Sequence, residues 1–343
     1  MTPALRDLPL RLQHDSFAPY DLRNLGLSTE RLRRGDIAHP FHGVSAHRVD
    51  LGDIVQRAAA LTRRHDMPPF VFSHLTAARL LGLPLPRDSR HDNLQITVAH
   101  PARAPRLAGV EAHAFRHPAR AVRHSRFVSA SSGEVLLLPV FRDDWLIASL
   151  ATQLECDDLV AVIDSVQYRA TRQFTSLGEL SPPGMPILAN DSGCLDLAGP
   201  LTKGRRGSHQ ARRALALSRV GARSRPETFL RLLIQRAGFP EPALGHSISG
   251  AGWNAIPDLA WPAYSVLLEY EGDHHRTNAR QFSHDIRRFE RYADCGWSAM
   301  RVTRRDLFEH TFELISRVEN RLRKTGWAPA RSWHSRPVAP FRP

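Results

Sequence analysis

Lysine and cysteine are both scarce in this chain of 343 residues. Lysine occurs only at Lys203 and Lys324, whereas arginine is abundant. The three cysteines, Cys156, Cys194 and Cys295, lie far apart in the sequence. They give neither the spacing of a zinc site nor a disulfide framework, which favours a reducing, cytoplasmic compartment.

Long apolar runs are also missing from the sequence. No segment reaches the roughly 18 consecutive apolar residues of a membrane-spanning helix, so we expect no membrane partner. Residues 1–12 contain charges and prolines without the apolar centre of a signal peptide, so we expect no secretory leader. The composition, 42% hydrophobic and 24% charged residues, is typical of a globular protein, and the length predicts two or three domains.

The formal net charge is +13, and acidic residues are absent between residues 197 and 226. A basic surface favours polyanions, of which nucleic acid is the usual one, although GC-rich coding alone also raises the arginine content. The basic segment is therefore either a solvated helix or an arm that follows phosphates. We predict nucleic-acid contacts for Arg205, Arg206, Arg212, Arg213, Arg276, Arg287 and Arg288.

Helix and strand patterns predict an α/β chain, α+β overall. A helix over 17–24, a second helix capped by Ser28 and a hairpin within 37–44 follow the order of a winged helix. We predict five segments: a winged-helix-like domain at 1–52, a small α+β middle domain at 53–180, a basic linker at 181–223, an α/β domain at 224–327 and a disordered, proline-rich tail at 328–343.

The segment 257–276 carries the clearest chemistry. Apolar runs on both sides of a Pro-containing turn predict a β-hairpin. Residues two apart on a strand share a face, so Glu269 and Glu271 point the same way, and the hairpin brings Asp258 near Glu269. Converging carboxylates repel each other unless a cation neutralises them, and oxygen ligands suit Mg²⁺ or Mn²⁺. The sequence therefore predicts a metal site made by these three acids.

Neighbouring residues support a phosphodiester site. His274 and His275 follow the strand and are candidates for donating to a phosphate or for acid–base catalysis. Glu227, in the first turn of a helix predicted over 226–237, is either a capping acid or a further ligand of metal or water. The alternative is that these acids are solvated, with Glu269 and Glu271 facing arginines of the next helix.

That next helix is predicted over 279–295. Its buried stripe is predicted to be Phe282, Ile286, Phe289 and Ala293. Residues 298–303 then predict a strand parallel to the one that carries Glu269, and 306–323 a closing amphipathic helix.

These motifs resemble a known family. The string Glu269-Tyr-Glu271-Gly-Asp-His-His-Arg, the helix with Asp285-Ile-Arg-Arg, and Gly296-Trp297 before the last strand resemble the Vsr-like domain over about 224–325. That domain is similar to very-short-patch-repair endonucleases and so to the PD-(D/E)xK superfamily. The resemblance implies a restriction-endonuclease-like mixed sheet flanked by helices. It implies the metal-binding aspartate at Asp258, the motif strand at Glu269 and Glu271, the first-helix glutamate at Glu227 and the repair-enzyme histidine at His274 or His275.

One position departs from that family. Glu271 stands where the superfamily has a lysine, so a histidine or Arg276 would have to take the lysine's role. Further upstream, Phe72-Ser73-His74-Leu-Thr76-Ala77-Ala78 and Leu81-Gly82-Leu83 resemble the AbiEi family of antitoxin-type regulators over about 12–170. Ser73 and His74 themselves are most simply a helix cap and a structural histidine.

Two functions follow from these patterns. The first is a Mg²⁺- or Mn²⁺-dependent DNA endonuclease of repair or phage defence, targeted by the N-terminal domains. The second is a non-catalytic, DNA-binding regulator of the antitoxin type that carries a degenerate nuclease fold. A cognate toxin is a further candidate partner. The DNA sequence recognised and the oligomeric state do not follow from the sequence.

Overall fold

The protein is described by a computed structural model over residues 8–88, 92–175, 200–201, 205–250, 252–272, 279–329 and 333–342. It is a mixed α and β protein, as predicted. The chain divides into two compact units. The first comprises Met1–Leu154 and Gln173–Ala211, and the second comprises Glu155–Arg172 and Arg212–Pro343.

The first unit begins with a small three-stranded sheet. Its elements are β1 (Ser16–Phe17), α1 (Pro19–Asn24), a 3-10 helix (Thr29–Arg33), β2 (Ile37–Phe41) and β3 (Val44–His47), with strand order β1-β3-β2. The predicted hairpin is present, and Gly43 turns it with φ +76. Two details differ from the prediction. The first helix starts at Pro19 because Phe17 belongs to a strand, and the second is a 3-10 helix, capped by Ser28 as expected.

A five-stranded sheet makes up the rest of the first unit. The elements are α2 (Ile54–Thr62), β4 (Phe70–Phe72), α3 (His74–Leu80), β5 (Leu94–Ala99), β6 (Val110–Phe115), β7 (Val122–Val128), β8 (Val135–Phe141) and α4 (Asp143–Leu150). The strand order is β6-β5-β4-β8-β7. Strands β5 and β6 run parallel. The pattern did not predict β4, β7 and β8.

Two helices follow α4 in the sequence. Helix α5 (Cys156–Thr175) belongs largely to the second unit, and α6 (Ser208–Leu217) spans the point at which the contacts divide the chain. The segment predicted as a basic linker thus contains a helix. The predicted domain boundaries themselves stay a prediction.

The second unit is built on a mixed sheet. Its further elements are α7 (Arg225–Ala237), β9 (Ile248–Gly250), β10 (Trp253–Ala255), β11 (Leu259–Trp261), β12 (Val266–Glu271), α8 (Ala279–Asp294), β13 (Ser298–Thr303), α9 (Arg304–Phe308) and α10 (Thr311–Lys324). The sheet order is β11-β12-β13, with β11 antiparallel and β13 parallel to β12. Helices α7, α8 and α9 pack against its strands. The predicted hairpin and parallel crossover are both present.

The buried face of α8 differs from the predicted stripe. Ile286 is 39% exposed and Ala293 is exposed, whereas Tyr292 is fully buried with Ile248 and Leu267. The side chain of Phe282 lies outside the described residues. The helix is rotated from the apolar stripe because the tyrosine ring fills the space against the sheet while its hydroxyl reaches a polar partner inside.

The C-terminal region shows two further differences. The predicted helix over 306–323 is two helices, interrupted at His310, whose φ of −118 and ψ of 42 lie outside the helical range. The tail predicted to be disordered packs against α7. The ring of Phe341 stacks on Phe229 at 4.6 Å, and Trp333 Nε1 donates to the Gly238 carbonyl at 2.9 Å. Apolar burial of these aromatic rings outweighs the proline-rich composition.

Within the described residues, no helix is both long enough and apolar enough to cross a membrane.

A candidate acidic site in the second unit

Glu227 lies in the first turn of α7 and closes the helix N-terminus. The Ser224 hydroxyl caps the helix by accepting from the Glu227 N–H and donates to Glu227 Oε1 at 2.9 Å, while the Arg223 N–H donates to Oε2 at 2.7 Å. The capping role predicted for this residue is therefore present. Burial and the charge of Asp258 raise the pKa of Glu227 to about 7. The charge of Asp258 acts on Glu227, so this capping carboxylate also lies near the acid that precedes β11.

Asp258 directly precedes β11 and lies opposite Glu269 of β12. The register pairs Leu259 with Leu268, which places the preceding residue of one strand beside the following residue of the other. Asp258 Oδ2 accepts the Tyr270 N–H at 2.7 Å. Burial and the charge of Glu269 raise the pKa of Asp258 to about 6. The hairpin therefore brings Asp258 and Glu269 opposite each other, as predicted.

Glu269 is the most buried of the three acids, at 6% exposure. The Tyr292 hydroxyl donates to its Oε1 at 2.6 Å, and Arg288 Nη2 lies 3.5 Å from its Oε2. Burial raises the pKa of Glu269 and the charge of Glu227 raises it further, while Arg288 and Tyr292 oppose this rise. Burial also raises the pKa of Tyr292, followed by the charge of Glu269, so the tyrosine stays a hydrogen-bond donor.

We call Glu227, Asp258 and Glu269 together the acidic site. Each of its members has a raised pKa, with burial as the largest cause and a neighbouring carboxylate as a further one. The positive charge of Arg223 acts on all three, and that of Arg288 on Asp258 and Glu269. These two arginines do not restore ordinary pKa values, so the site disfavours full ionisation and would gain from a cation.

Glu271 lies two residues beyond Glu269 on β12 and pairs with an arginine. It ends β12, is about a third exposed, and its Oε2 lies 3.8 Å from Arg301 Nη1. The strand's two-residue repeat gives both glutamates one face, and Arg301, the register partner of Glu269 on β13, lies beside Glu271. That Glu271 shares one site with Asp258 and Glu269 stays a prediction.

The other predicted residues fall into three groups. His274, His275 and Arg276 lie outside the described residues. Arg206, Arg212, Arg213 and Arg287 are exposed. Arg205 and Arg288 each contact a named group within the protein. The Arg205 guanidinium lies over the rings of Phe115 and Trp145, at 4.5 and 5.0 Å from their centroids, and Arg288 faces Glu269.

Tyr292 is the functional candidate that sequence reasoning missed. A pattern of apolar residues does not single out a tyrosine that serves a buried acid. The signal available was its spacing of four residues from Arg288, which places both side chains on one face of α8. That face is the one that meets Glu269.

The described residues contain no group of three His, Cys, Asp or Glu side chains arranged closely enough to hold a metal ion. Glu227 accepts hydrogen bonds at both of its carboxylate oxygens, and Glu269 accepts one at Oε1. Asp258 accepts one at Oδ2, while its Oδ1 has no hydrogen-bond partner among the described residues. The donors are all carboxylate oxygens, which is the ligand type that Mg²⁺ and Mn²⁺ prefer.

Known proteins add little to this picture. No known family model matches the chain, and no curated protein matches it. One similar solved structure is the crystal structure of the Rv2827c protein from Mycobacterium tuberculosis. It shares 17% sequence identity and a TM-score of 0.35, over 69% of this chain and 84% of that chain. A likeness of that size carries no argument about either fold or activity.

Proposed function

We propose that the second unit is a Mg²⁺- or Mn²⁺-dependent DNA endonuclease domain. The observation that carries this proposal is the acidic site, in which three carboxylates from α7, β11 and β12 raise one another's pKa beneath the surface. Buried acids that are left short of neutralising charge are a feature of sites that bind cations or transfer protons. Helix α7 and the mixed sheet with its parallel crossover supply the framework on which these acids meet.

The residues present fit a divalent cation by the chemistry of their donors. Asp258 and Glu269 are the residues that would hold it. A bound Mg²⁺ or Mn²⁺ supplies activation of a water molecule and stabilisation of charge on the phosphate. The chain's own groups position the ligands: the Tyr270 N–H fixes Asp258, and Tyr292 with Arg288 fixes Glu269.

Glu227 has the properties of the proton acceptor in this site. A general base works best when its pKa lies near the working pH, and that of Glu227 is raised to about 7. Its two hydrogen bonds from the N-terminus of α7 hold its carboxylate in one orientation. We therefore assign to it the removal of a proton from the attacking water.

DNA is the substrate that the charge of the chain favours. The net charge is +13, and the exposed arginines 206, 212, 213 and 287 provide cations for phosphates. We assign to the β2–β3 hairpin of the first unit the role of the predicted wing. The chain thus combines a basic surface with a buried acidic site, as cleavage of a polyanion requires.

The test is a plasmid-nicking assay with the full chain. We expect Mn²⁺ or Mg²⁺ to support conversion of supercoiled plasmid to nicked circles, and Asp258→Asn to abolish it with an unchanged melting temperature. The matched control is Glu290→Gln, which neutralises an exposed acid on α8 and should cleave like the original chain. Nicking that persists in Asp258→Asn, or that does not need a divalent metal, would overturn the proposal.

A second candidate function is that of a non-catalytic, DNA-binding regulator of the antitoxin type. It is favoured by the arginine at 3.5 Å from Glu269 and by Glu271, which pairs with Arg301 where the resembled superfamily has a lysine. Under this function the chain retards DNA in a gel without metal, Asp258→Asn changes nothing, and no metal supports nicking. A toxin partner would then bind the purified chain directly.

A further inference from the structure

The first unit contains a basic cleft beside its N-terminal helix. The cleft has a volume of about 410 Å³ and is formed by α1, the β2–β3 turn and the residues that follow α2. Three arginines and one aspartate line it, namely Arg23, Arg63, Arg64 and Asp66. Its volume falls in the range of small-ligand sites, roughly 300–1,000 Å³. Its charge selects an anion.

Two of these arginines are held in place by the protein. Arg63 Nη2 lies 2.9 Å from Asp15 Oδ2. Arg64 Nε donates to Asp66 at 2.7 Å, and Arg64 Nη1 donates to the His42 carbonyl at 2.8 Å. These contacts form one wall of the cleft, and they neutralise the negative charges of Asp15 and Asp66. The walls are therefore ordered before any ligand arrives.

The remaining arginine and the two histidines of the cleft make no hydrogen bonds of this kind. The side chains of Arg23, His42 and His65 are exposed, and none of them makes a hydrogen bond within the described residues. All three line the same cleft from different elements. Of these donors, His42 also acts by its charge on Asp66, whereas Arg23 and His65 line the cleft without an internal hydrogen bond and are suited to an oxyanion such as a phosphate.

Tyr20 adds an aromatic ring at the same cleft. It is 58% exposed, although a tyrosine is large enough to bury much apolar surface. It lies on α1, three residues before Arg23. An aromatic face beside cations is the combination by which proteins bind single-stranded nucleic acid, with a base stacked on the ring and the backbone along the charges.

We propose that this cleft binds one unpaired nucleotide of single-stranded nucleic acid, with its base on Tyr20 and its phosphate on Arg23. The volume admits a single nucleotide and not a duplex, which favours a strand that is already unpaired. The cleft lies in the first unit, and neither its residues nor its test depends on metal-dependent cleavage. A cleft that does not bind the oligonucleotide would leave the plasmid-nicking result unchanged. A chain that does not nick plasmid would likewise leave the binding result unchanged.

The test is fluorescence anisotropy of the full chain with a labelled ten-residue oligothymidylate in EDTA. We expect Tyr20→Ala and Arg23→Glu each to weaken binding about tenfold. Tyr20→Phe keeps the ring and should bind like the original chain. Arg120→Glu, a change of the same charge at an exposed position of the same unit outside the cleft, should alter the affinity less than twofold.

Three results would overturn the proposal. The first is equal weakening by Arg120→Glu and Arg23→Glu, which would show general charge attraction. The second is a loss in Tyr20→Phe as large as in Tyr20→Ala, which would assign the effect to the hydroxyl. The third is displacement of the oligonucleotide by thymidine monophosphate at equal nucleotide concentration, which would indicate a site for a free small nucleotide. Melting temperatures of all variants exclude unfolding as the cause.

Discussion

Helix α7 contacts two groups of buried and half-buried carboxylates that differ in how their charge is neutralised. On one side, three aspartates of α5 each pair with an arginine of α7: Asp157 with Arg236, Asp158 with Arg225 and Asp164 with Arg231. On the other side, each acid of the acidic site has its pKa raised by another carboxylate, and two arginines are shared among the three acids. One helix thus separates a compensated group from an undercompensated one.

The two groups differ in how far the neighbouring charges favour the ionised form of their acids. Burial raises the pKa of Asp164, but Arg231 and three hydrogen bonds, from Arg219, Thr228 and Arg231 itself, favour its charged form. In the acidic site, burial and a second carboxylate act in the same direction. The ionised form of an acid that has a cationic partner is destabilised when that partner is changed. The ionised form of an acid with too little neutralising charge is stabilised by an added cation.

The largest expected effect is on the compensated side. We expect Asp164→Ala to lower the free energy of unfolding by about 3–5 kcal/mol, because the fully buried Arg231 keeps its charge without a partner. Replacing both residues, Asp164→Leu with Arg231→Met, should recover most of the loss. Urea unfolding followed by circular dichroism measures both. A loss below about 1 kcal/mol in the single variant would show that the pair is not structural.

The next effect is expected on the undercompensated side. We expect Mn²⁺ at pH 7.5 to stabilise the chain against unfolding, by about 2.7 kcal/mol at a concentration of 100 times its Kd. The shift should vanish in Asp258→Asn and persist in Glu290→Gln, as differential scanning fluorimetry will show. If Asp258→Asn keeps the same metal-induced shift as the original chain, the acidic site does not bind the metal. Asp164→Ala, a change in the compensated group, is the comparison.

A smaller effect concerns the dependence of stability on pH. The pKa of Glu227 rises from 4.5 to about 7 on folding, so between these values the folded chain holds a proton that the unfolded chain has lost. The free energy of unfolding contributed by this group therefore falls as pH rises through that window, by at most about 1.4 kcal/mol per pH unit. Glu227→Gln preserves the capping box and should flatten the slope.

The control for this prediction compares the two sides of α7. Asp157→Asn removes a partly exposed, paired acid, and it should leave the slope between pH 4.5 and 7 unchanged. A steeper slope in Glu227→Gln than in the original chain would contradict the raised pKa of Glu227. Urea midpoints at half-unit pH steps provide the measurement.

The smallest effect is expected at the edge of the sheet. Glu271 and Arg301 are each about a third exposed and 3.8 Å apart, so Glu271→Gln should change the free energy of unfolding by less than about 1 kcal/mol. Its effect on nicking is the sharper measurement. Loss of nicking in this variant, as complete as in Asp258→Asn, would support the predicted role of Glu271 as a metal ligand.

The approach of Asp258 to Glu269 was predictable because it depends on local rules. A Pro-containing turn between apolar runs gives a hairpin, and a two-residue repeat sets the facing side chains. The parallel strand after α8 followed from the same pattern. The position of Glu227 was also readable, since three residues after Ser224 is the spacing of a capping box.

The remainder of the site depends on packing between elements that are distant in sequence. Tyr292 reaches Glu269 only because α8 is rotated from its apolar stripe, leaving Ile286 exposed. Arg301, which pairs with Glu271, lies on a strand thirty residues further along the sequence. Likewise, β4 has only three residues and is defined by its neighbours in the sheet. No periodicity within a single segment encodes such contacts.

The ring of Phe341 covers Phe229 of α7, and these two residues are more than a hundred positions apart. During synthesis at roughly 5–20 residues per second, the first ring waits on the order of ten seconds for the second. Until then the Phe229 ring packs without Phe341, while Phe308 lies beside it at 6.1 Å. The packing of α7 is therefore completed only when translation reaches Phe341.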